Sequence, residues 1–331
     1  MRMRELVGAP RGTSPIPASA RPTIPAPTPT RPPQPSAAAR PVFEELLDVL
    51  VRSRAAVQAS DAFPWPVLRA TIERVCAADE ASDESFWLAH DMVGRADMDH
   101  VTVHHARVAA MAVRVGARVG YDLEHRIALG MAGALIDVAL WRVSDDVVRR
   151  VHAPSAQEAE LLRTHPRVSA EMVASWTPPM GGLVEAIGQH HERADGQGFP
   201  QGLRADATHL DAQILGLVDA YAECTSLAVR GRRHRPHEVV RELMRWRHGT
   251  FAPALVKALL SEITVFPPGS IVSLTTGEVG RVLRVNRRHP LRPAIEIISA
   301  APGRRATGHR TIDLAEMPFV AIASLVDPAS A

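Results

Sequence analysis

His190-His191-Glu192-Arg193-Ala194-Asp195-Gly196-Gln197-Gly198-Phe199-Pro200-Gln201-Gly202-Leu203 sets two adjacent histidines and a carboxylate directly against a turn-forming run. Glycine enters positive φ freely and proline fixes φ near ~−65°, so the stretch after Arg193 reads as a structured loop. Adjacent helical residues point ~100° apart, so the two imidazoles share one ion only at a helix end or between two helices. A histidine pair held against a stiff loop suits a metal site better than a hydrophobic core.

Four other positions answer that pair. Asp137 is the sole charge within Ile127 to Trp141, read as one helix running from Tyr121 to about Leu140. A buried unpaired carboxylate costs several kcal/mol, so Asp137 needs a cation, a protonation shift or a strong donor set; a metal is preferred, and an arginine salt bridge is the bland alternative. Asp219 sits in the apolar run Ile214-Leu215-Gly216-Leu217-Val218-Asp219-Ala220 and falls under the same argument. His165 precedes Pro166, which is expected to end its helix. His104 lies on the apolar stripe Val101, His104, Val108, Met111, Val115, Val119; a lone histidine there is more often a satisfied core residue. His100, one turn earlier, is an additional candidate ligand. Histidine and aspartate spread over several helices without cysteine make a ligand set for iron, manganese, zinc or nickel. Two such ions ~3.5–4 Å apart would acidify a shared water and clamp a phosphodiester.

Bulk properties exclude other classes. The chain has 331 residues, 46% of them hydrophobic, enough for one sizeable core plus appendages. A formal net charge of +2 gives no field directed at nucleic acid, and no run is apolar enough for membrane insertion. Cys76 and Cys224 are too few for a disulfide framework, which fits a cytoplasmic protein.

Four regions are expected. Residues 1–41, rich in Pro, Ala and Arg, read as a disordered tail; 42–97 is a helical region; 98–263 holds the ligands; 264–331 is a small β-rich extension. Further helices are expected near Ser85 to Val93, Leu183 to His191, Asp211 to Val229, Pro236 to Arg247 and Pro253 to Ile263. A Ser155-Ala156-Gln157-Glu158 capping box opens the helix before His165. Ile271 to Leu274, Val279 to Val285 and Ala294 to Ile298 alternate as strands of a three- or four-stranded unit.

The order and spacing of these residues resemble the HD-GYP family of bacterial metal-dependent phosphohydrolases, which cleave cyclic di-GMP. The resemblance covers about Met98 to Ile263, and HHERADGQGFPQGL differs from the family's HHExxDGxGYPxGL mainly by Phe199 for tyrosine. It implies a mainly α fold, an HD-type helical bundle with a small C-terminal β appendix and a disordered N-terminal tail. It implies one or two divalent ions, iron, manganese or similar, held by His104, Asp137, His165, His190, His191 and Asp219, with Asp137 bridging. Asp137, His190 and His191 become the catalytic candidates. Arg193, Asp195, Gly196, Gly198, Phe199 and Pro200 become the substrate loop. A cyclic dinucleotide becomes the expected ligand. With no receiver or sensor stretch visible beside the bundle, a signalling protein partner or the short N-terminal helices are expected to carry the input.

Departures from the family pattern concern catalysis. The HDxGK stretch reads Ile136-Asp137-Val138-Ala139-Leu140, so a ligating histidine and a phosphate-contacting lysine are both apolar. Gln213 and Ala222 replace an arginine and a polar residue. The set with His165, His190 and His191 is complete beside Asp137, whereas the set with His104 and Asp219 lacks its second imidazole. His100 could partly substitute. Three readings stay open: a phosphodiesterase with a weakened first metal site, a catalytically inactive scaffold that binds metal, cyclic di-GMP or protein partners, and a phosphohydrolase on another nucleotide. Ile136 with Leu140 favours the second reading for catalysis.

Overall fold

The computed structural model describes residues 39–81, 86, 88–89, 98–148, 153–226, 239, 249–263, 266, 270–286, 289, 291–299 and 310–326. Helices α1 (Ala39–Gln58), α2 (Trp65–Ala81), α3 (His100–Arg118) and α4 (Leu123–Ala134) come first. A 3-10 turn (Val138–Arg142), the short α5 (Asp145–Val148), α6 (Ala156–Ser175), α7 (Leu183–Gln189), α8 (Leu210–Ser226) and α9 (Pro253–Glu262) follow. Strands β1 (Ile271–Leu274), β2 (Val279–Arg284), β3 (Ala294–Ser299), β4 (Arg310–Asp313) and β5 (Ile322–Leu325) close the chain. The protein is mainly α with a small C-terminal antiparallel sheet. The expected tail and the helices near Ser85 to Val93 and Pro236 to Arg247 lie largely outside the described residues.

Short polar side chains start the helices that carry the site. Asp99 accepts the Thr102 N–H at 3.0 Å to open α3, and Asp122 accepts the His125 N–H at 2.9 Å to open α4. Ser155 and Glu158 form the reciprocal capping box of α6. Helix α3 departs from the one-sided expectation: every residue from Val101 to Gly116 is buried. It is the axis of the bundle, packed by α1, α2, α4, α8 and α9. Its two inner arginines are accommodated by polar partners. Arg107 donates to Ala89 O (2.6 Å), Ala222 O (3.0 Å) and Thr225 Oγ1 (2.8 Å). Arg114 pairs with Glu262 (2.6 Å) and Asp79 (3.3 Å), and Arg126 from α4 joins Asp79 (3.1 Å).

Two local readings are corrected. Asp137 is not inside a helix: α4 closes at Ala134, and Asp137, at φ −123° and ψ 35°, leads into the 3-10 turn. Apolar residues are buried on both sides of this break, so hydrophobic periodicity runs through it without a mark. Pro166 does not end a helix either, because α6 is continuous from Ala156 to Ser175. Proline has no N–H to offer the carbonyl four residues back, Leu162 O. His165 Nδ1 supplies that bond instead, at 2.9 Å.

The sheet runs in the order β4-β3-β2-β1-β5, all antiparallel, with Val272 facing Gly280 and Ile295 facing Ile312. It has five strands where three or four were expected. Strand β4 begins with arginine and β5 is a four-residue edge, so neither carries a strong alternation. Val272, Leu274, Val282, Ile295, Ile312, Leu314 and Val320 form a core of their own, separate from the helical core.

Candidate metal centre

Six side chains from five separate segments meet inside the bundle. His104 comes from mid-α3, Asp137 from the break after α4, and His165 from beside Pro166 in α6. His190 is the C-cap of α7, His191 follows it, and Asp219 comes from α8. All are buried except His191, which is nearly so. Their ligand atoms fall into two groups, His165, His190 and His191 in one and His104, Asp137 and Asp219 in the other, with atoms in each group within 4.8 Å of one another.

Asp137 stands between the groups. Its Oδ1 lies 3.2 Å from His165 Nε2 and 3.4 Å from His190 Nε2, while Oδ2 lies 3.9 Å from His104 Nε2. His104 Nε2 meets Asp219 Oδ1 at 2.8 Å, and His191 Nε2 meets His165 Nε2 at 3.0 Å. Two ring nitrogens each ~2.0–2.1 Å from one ion would lie about this far apart.

Backbone carbonyls set which nitrogens face inward. Because a carbonyl only accepts, His165 Nδ1 must donate to Leu162 O, and His190 Nδ1 to Ile187 O at 2.7 Å. Each ring therefore carries its proton outward and presents an Nε2 lone pair to Asp137, the usual orientation of a metal-ligating histidine. Asp137 Oδ1, His190 Nε2 and Asp219 Oδ2 are buried without a hydrogen-bond partner among the described residues. Lone pairs that converge without donors between them fit a divalent cation, so the residues present suit the metal that the ligand chemistry implies.

The electrostatics agree. Burial opposes the charge on Asp137, but His165 and His190 outweigh it and hold the carboxyl well below the ordinary range. Burial also works against an imidazolium at His165, yet Asp137 raises its proton affinity. His104 is raised likewise, by Asp219 and Asp137 against burial. His191 is pushed well below the usual value by burial and by His190 and His165.

The remaining candidates are placed as follows. His100 lies outside both groups, its ring 6.0 Å from that of His104. Ile136 and Leu140 are buried in the helical core. Gln213, where the resemblance expects an arginine, donates to Ala205 O (2.9 Å) and Thr208 O (3.1 Å) and so caps a loop. Arg193 donates to His190 O (2.9 Å) and Glu192 O (2.8 Å), and its guanidinium stacks 4.9 Å from the Phe251 ring. Asp195 accepts the Gln197 N–H at 3.0 Å and bridges to Arg204, around Gly196 at φ 77°. Phe199 is 40% exposed, its ring 4.6 Å from that of His191, and Pro200 beside it is exposed.

Sequence reasoning passed over two positions. A Cβ on Gly216 would fall 2.0 Å from His190 O, so only glycine lets α8 pass under the histidine turn. Glu192 is 3% exposed, with no role assigned beyond its place in the motif. Burial of a carboxylate between a ligand pair and a glycine-rich loop was the available clue.

Comparison with known proteins adds the context. Residues 95–255 match the HD domain family, and residues 271–331 match the KOW domain associated with HD domain. The cyclic di-GMP phosphodiesterase PA4108 of Pseudomonas aeruginosa is 26% identical over 216 residues, 65% of this chain and 52% of that protein. Cyclic di-GMP phosphodiesterase PdeB of Borreliella burgdorferi is 20% identical over 196 residues, 59% of this chain and 52% of that protein. The 3'3'-cGAMP-specific phosphodiesterase 1 of Vibrio cholerae is 25% identical over 125 residues, 37% of this chain and 28% of that protein. The chain spans about half the length, or less, of these curated relatives. Among solved structures, Bd1817, an HDG"Y"P protein of Bdellovibrio bacteriovorus, superposes with a TM-score of 0.53 at 14% identity, covering 67% of this chain and 70% of that one. That likeness concerns the fold.

Proposed function

We propose that the chain is an HD-GYP-type member of the HD domain family, a metal-dependent phosphohydrolase acting on a cyclic dinucleotide, with a weakened first metal site. The observation that carries this reading is Asp137, whose two oxygens face an all-imidazole group on one side and a carboxylate-rich group on the other. Bound divalent ions would supply Lewis acidity and an acidified water at neutral pH. His165, His190 and His191 with Asp137 Oδ1 would hold one ion, and His104, Asp219 and Asp137 Oδ2 the other. Leu162 O and Ile187 O keep two of the imidazoles in the tautomer that ligation needs. Relatives that act on cyclic di-GMP and 3'3'-cGAMP support a cyclic dinucleotide as substrate class.

Ile136 and Leu140 support a second reading, a chain that binds metal and dinucleotide without cleaving. Neither side chain offers a lone pair or a charge, and Gln213 is engaged with loop carbonyls. The two readings part in one experiment. Purified protein is analysed for iron and manganese and then assayed for turnover of cyclic di-GMP and 3'3'-cGAMP with either metal. Ring opening supports the enzyme. Metal content and dinucleotide binding without product would leave the binder.

A further inference from the structure

The Glu192 carboxylate is buried. It is occupied by backbone: Gln201 N–H donates to Oε1 at 2.6 Å and Leu203 N–H donates to Oε2 at 2.8 Å. Both donors belong to the far limb of the loop that starts at the histidine pair. A third bond runs from Phe199 N–H to His191 O at 3.1 Å. Gly198 lies so close beneath the loop that a Cβ there would fall 2.4 Å from Glu192 Cα and 2.5 Å from His191 O. The loop is thus folded flat onto the turn that bears the ligands. The outcome is the placement of one ring: Phe199 lies over the imidazoles, 4.6 Å from His191 and 6.4 Å from His165 between centroids.

We infer that Glu192 is a positioning residue that clamps the loop so that Phe199 roofs the imidazole group and slows escape of the ion held there. A carboxylate is suited to the task because two divergent N–H donors need two acceptors, and bonds to a charged acceptor are shorter and stronger than neutral ones. The inference rests on the metal reading of the site proposed above, but its test does not depend on hydrolysis.

The test compares the full chain with Glu192→Gln, Glu192→Ala and Phe199→Ala. Amide hydrogen exchange of the peptide spanning residues 198–203 is measured on metal-free protein. Release of loaded cobalt(II) to excess chelator is followed by its absorbance. Loss of charge-assisted bonds predicts exchange in that peptide faster by about tenfold or more in both Glu192 variants, with α3 unchanged. Cobalt release should accelerate by a similar factor in the same variants. Phe199→Ala should accelerate release while leaving the Gln201 and Leu203 amides protected, which separates roof from clamp. Glu192→Gln keeps the side-chain volume and decides the matter if the alanine variant does not fold. Wild-type exchange in the Glu192 variants would overturn the clamp. Faster exchange with unchanged cobalt release, or no effect of Phe199→Ala on release, would overturn the roof. A wild-type chain that takes up no cobalt would instead refute the metal reading and with it the roof, while the exchange arm still decides the clamp.

Discussion

Replacing Asp137 by asparagine tests the shared carboxylate most sharply. Oδ1 lies within 3.4 Å of two imidazole nitrogens and Oδ2 lies 3.9 Å from His104 Nε2, so one side chain serves both groups. Asparagine keeps the shape but turns one ligating oxygen into a donor and removes the charge. Loss of a directly ligating group should exceed the ~10–100-fold loss of metal affinity typical of an outer partner. The expected weakening is therefore more than ~2.7 kcal/mol for each ion that Asp137 contacts. Asp219→Asn is the control, because Asp219 belongs only to the group with His104. Metal content after gel filtration and competition against graded chelators give the affinities. Asp137→Asn should retain no ion, and Asp219→Asn should retain the one held by His165, His190 and His191. An imidazole titration by NMR adds a metal-free readout: without the Asp137 carboxylate, the His165 proton affinity should fall from its raised value. An Asp137→Asn protein that keeps an ion at wild-type affinity would refute the reasoning, as would an Asp219→Asn protein that loses both.

Three further outcomes are expected. Ile136→His combined with Leu140→Lys should destabilise the metal-free chain by ~1–3 kcal/mol, since polar groups enter the helical core, and should raise both metal stoichiometry and turnover; chemical denaturation with and without manganese checks both parts. Glu262→Ala removes the carboxylate that Arg114 and Arg118 share and should lower stability by ~3–5 kcal/mol in denaturant titration, with metal content unchanged. His105 is buried with no hydrogen-bond partner for either ring nitrogen among the described residues, and burial lowers its pKa from 6.5 to about 4. The unfolded chain binds that proton more readily, so this contribution is complete above pH 6.5 and is lost as pH falls toward about 4. His105→Leu should therefore be stabilising, and by ~2 kcal/mol more at pH 5 than at pH 8 in parallel urea titrations.

Much of the candidate site was legible because charge inside an apolar run demands an explanation. Asp137 and Asp219 stood out against their neighbours, and the histidine pair stood out against its glycine-rich loop. Backbone detail was not legible. The break after Ala134 lies between two buried stretches, and hydrophobic periodicity carries no phase mark where both flanks are buried. Pro166 misled because the rule for prolines counts the lost N–H but not a neighbouring imidazole able to replace it. Spacing along one helix face brought His100 into consideration, yet its ring stacks one turn from His104, outside both groups. The role of Glu192 escaped, and Gln213 was noted only as a departure, because their partners are backbone groups of a folded loop, which no residue pattern encodes. The pairing of Asp79, Arg114, Arg126 and Glu262 escaped for a related reason: it joins helices far apart in sequence, and burial converts apparently surface residues into interior ones.

The central claim is that a centre with one complete imidazole group and a bridging Asp137 still performs hydrolysis although Ile136 stands where a ligand is expected. The direct measurement is metal content together with cyclic di-GMP and 3'3'-cGAMP turnover on the same purified protein, in manganese and in iron. The account predicts at least one tightly held ion per chain and a ring-opened product whose formation stops in Asp137→Asn. Retained metal with no product from either dinucleotide would contradict it.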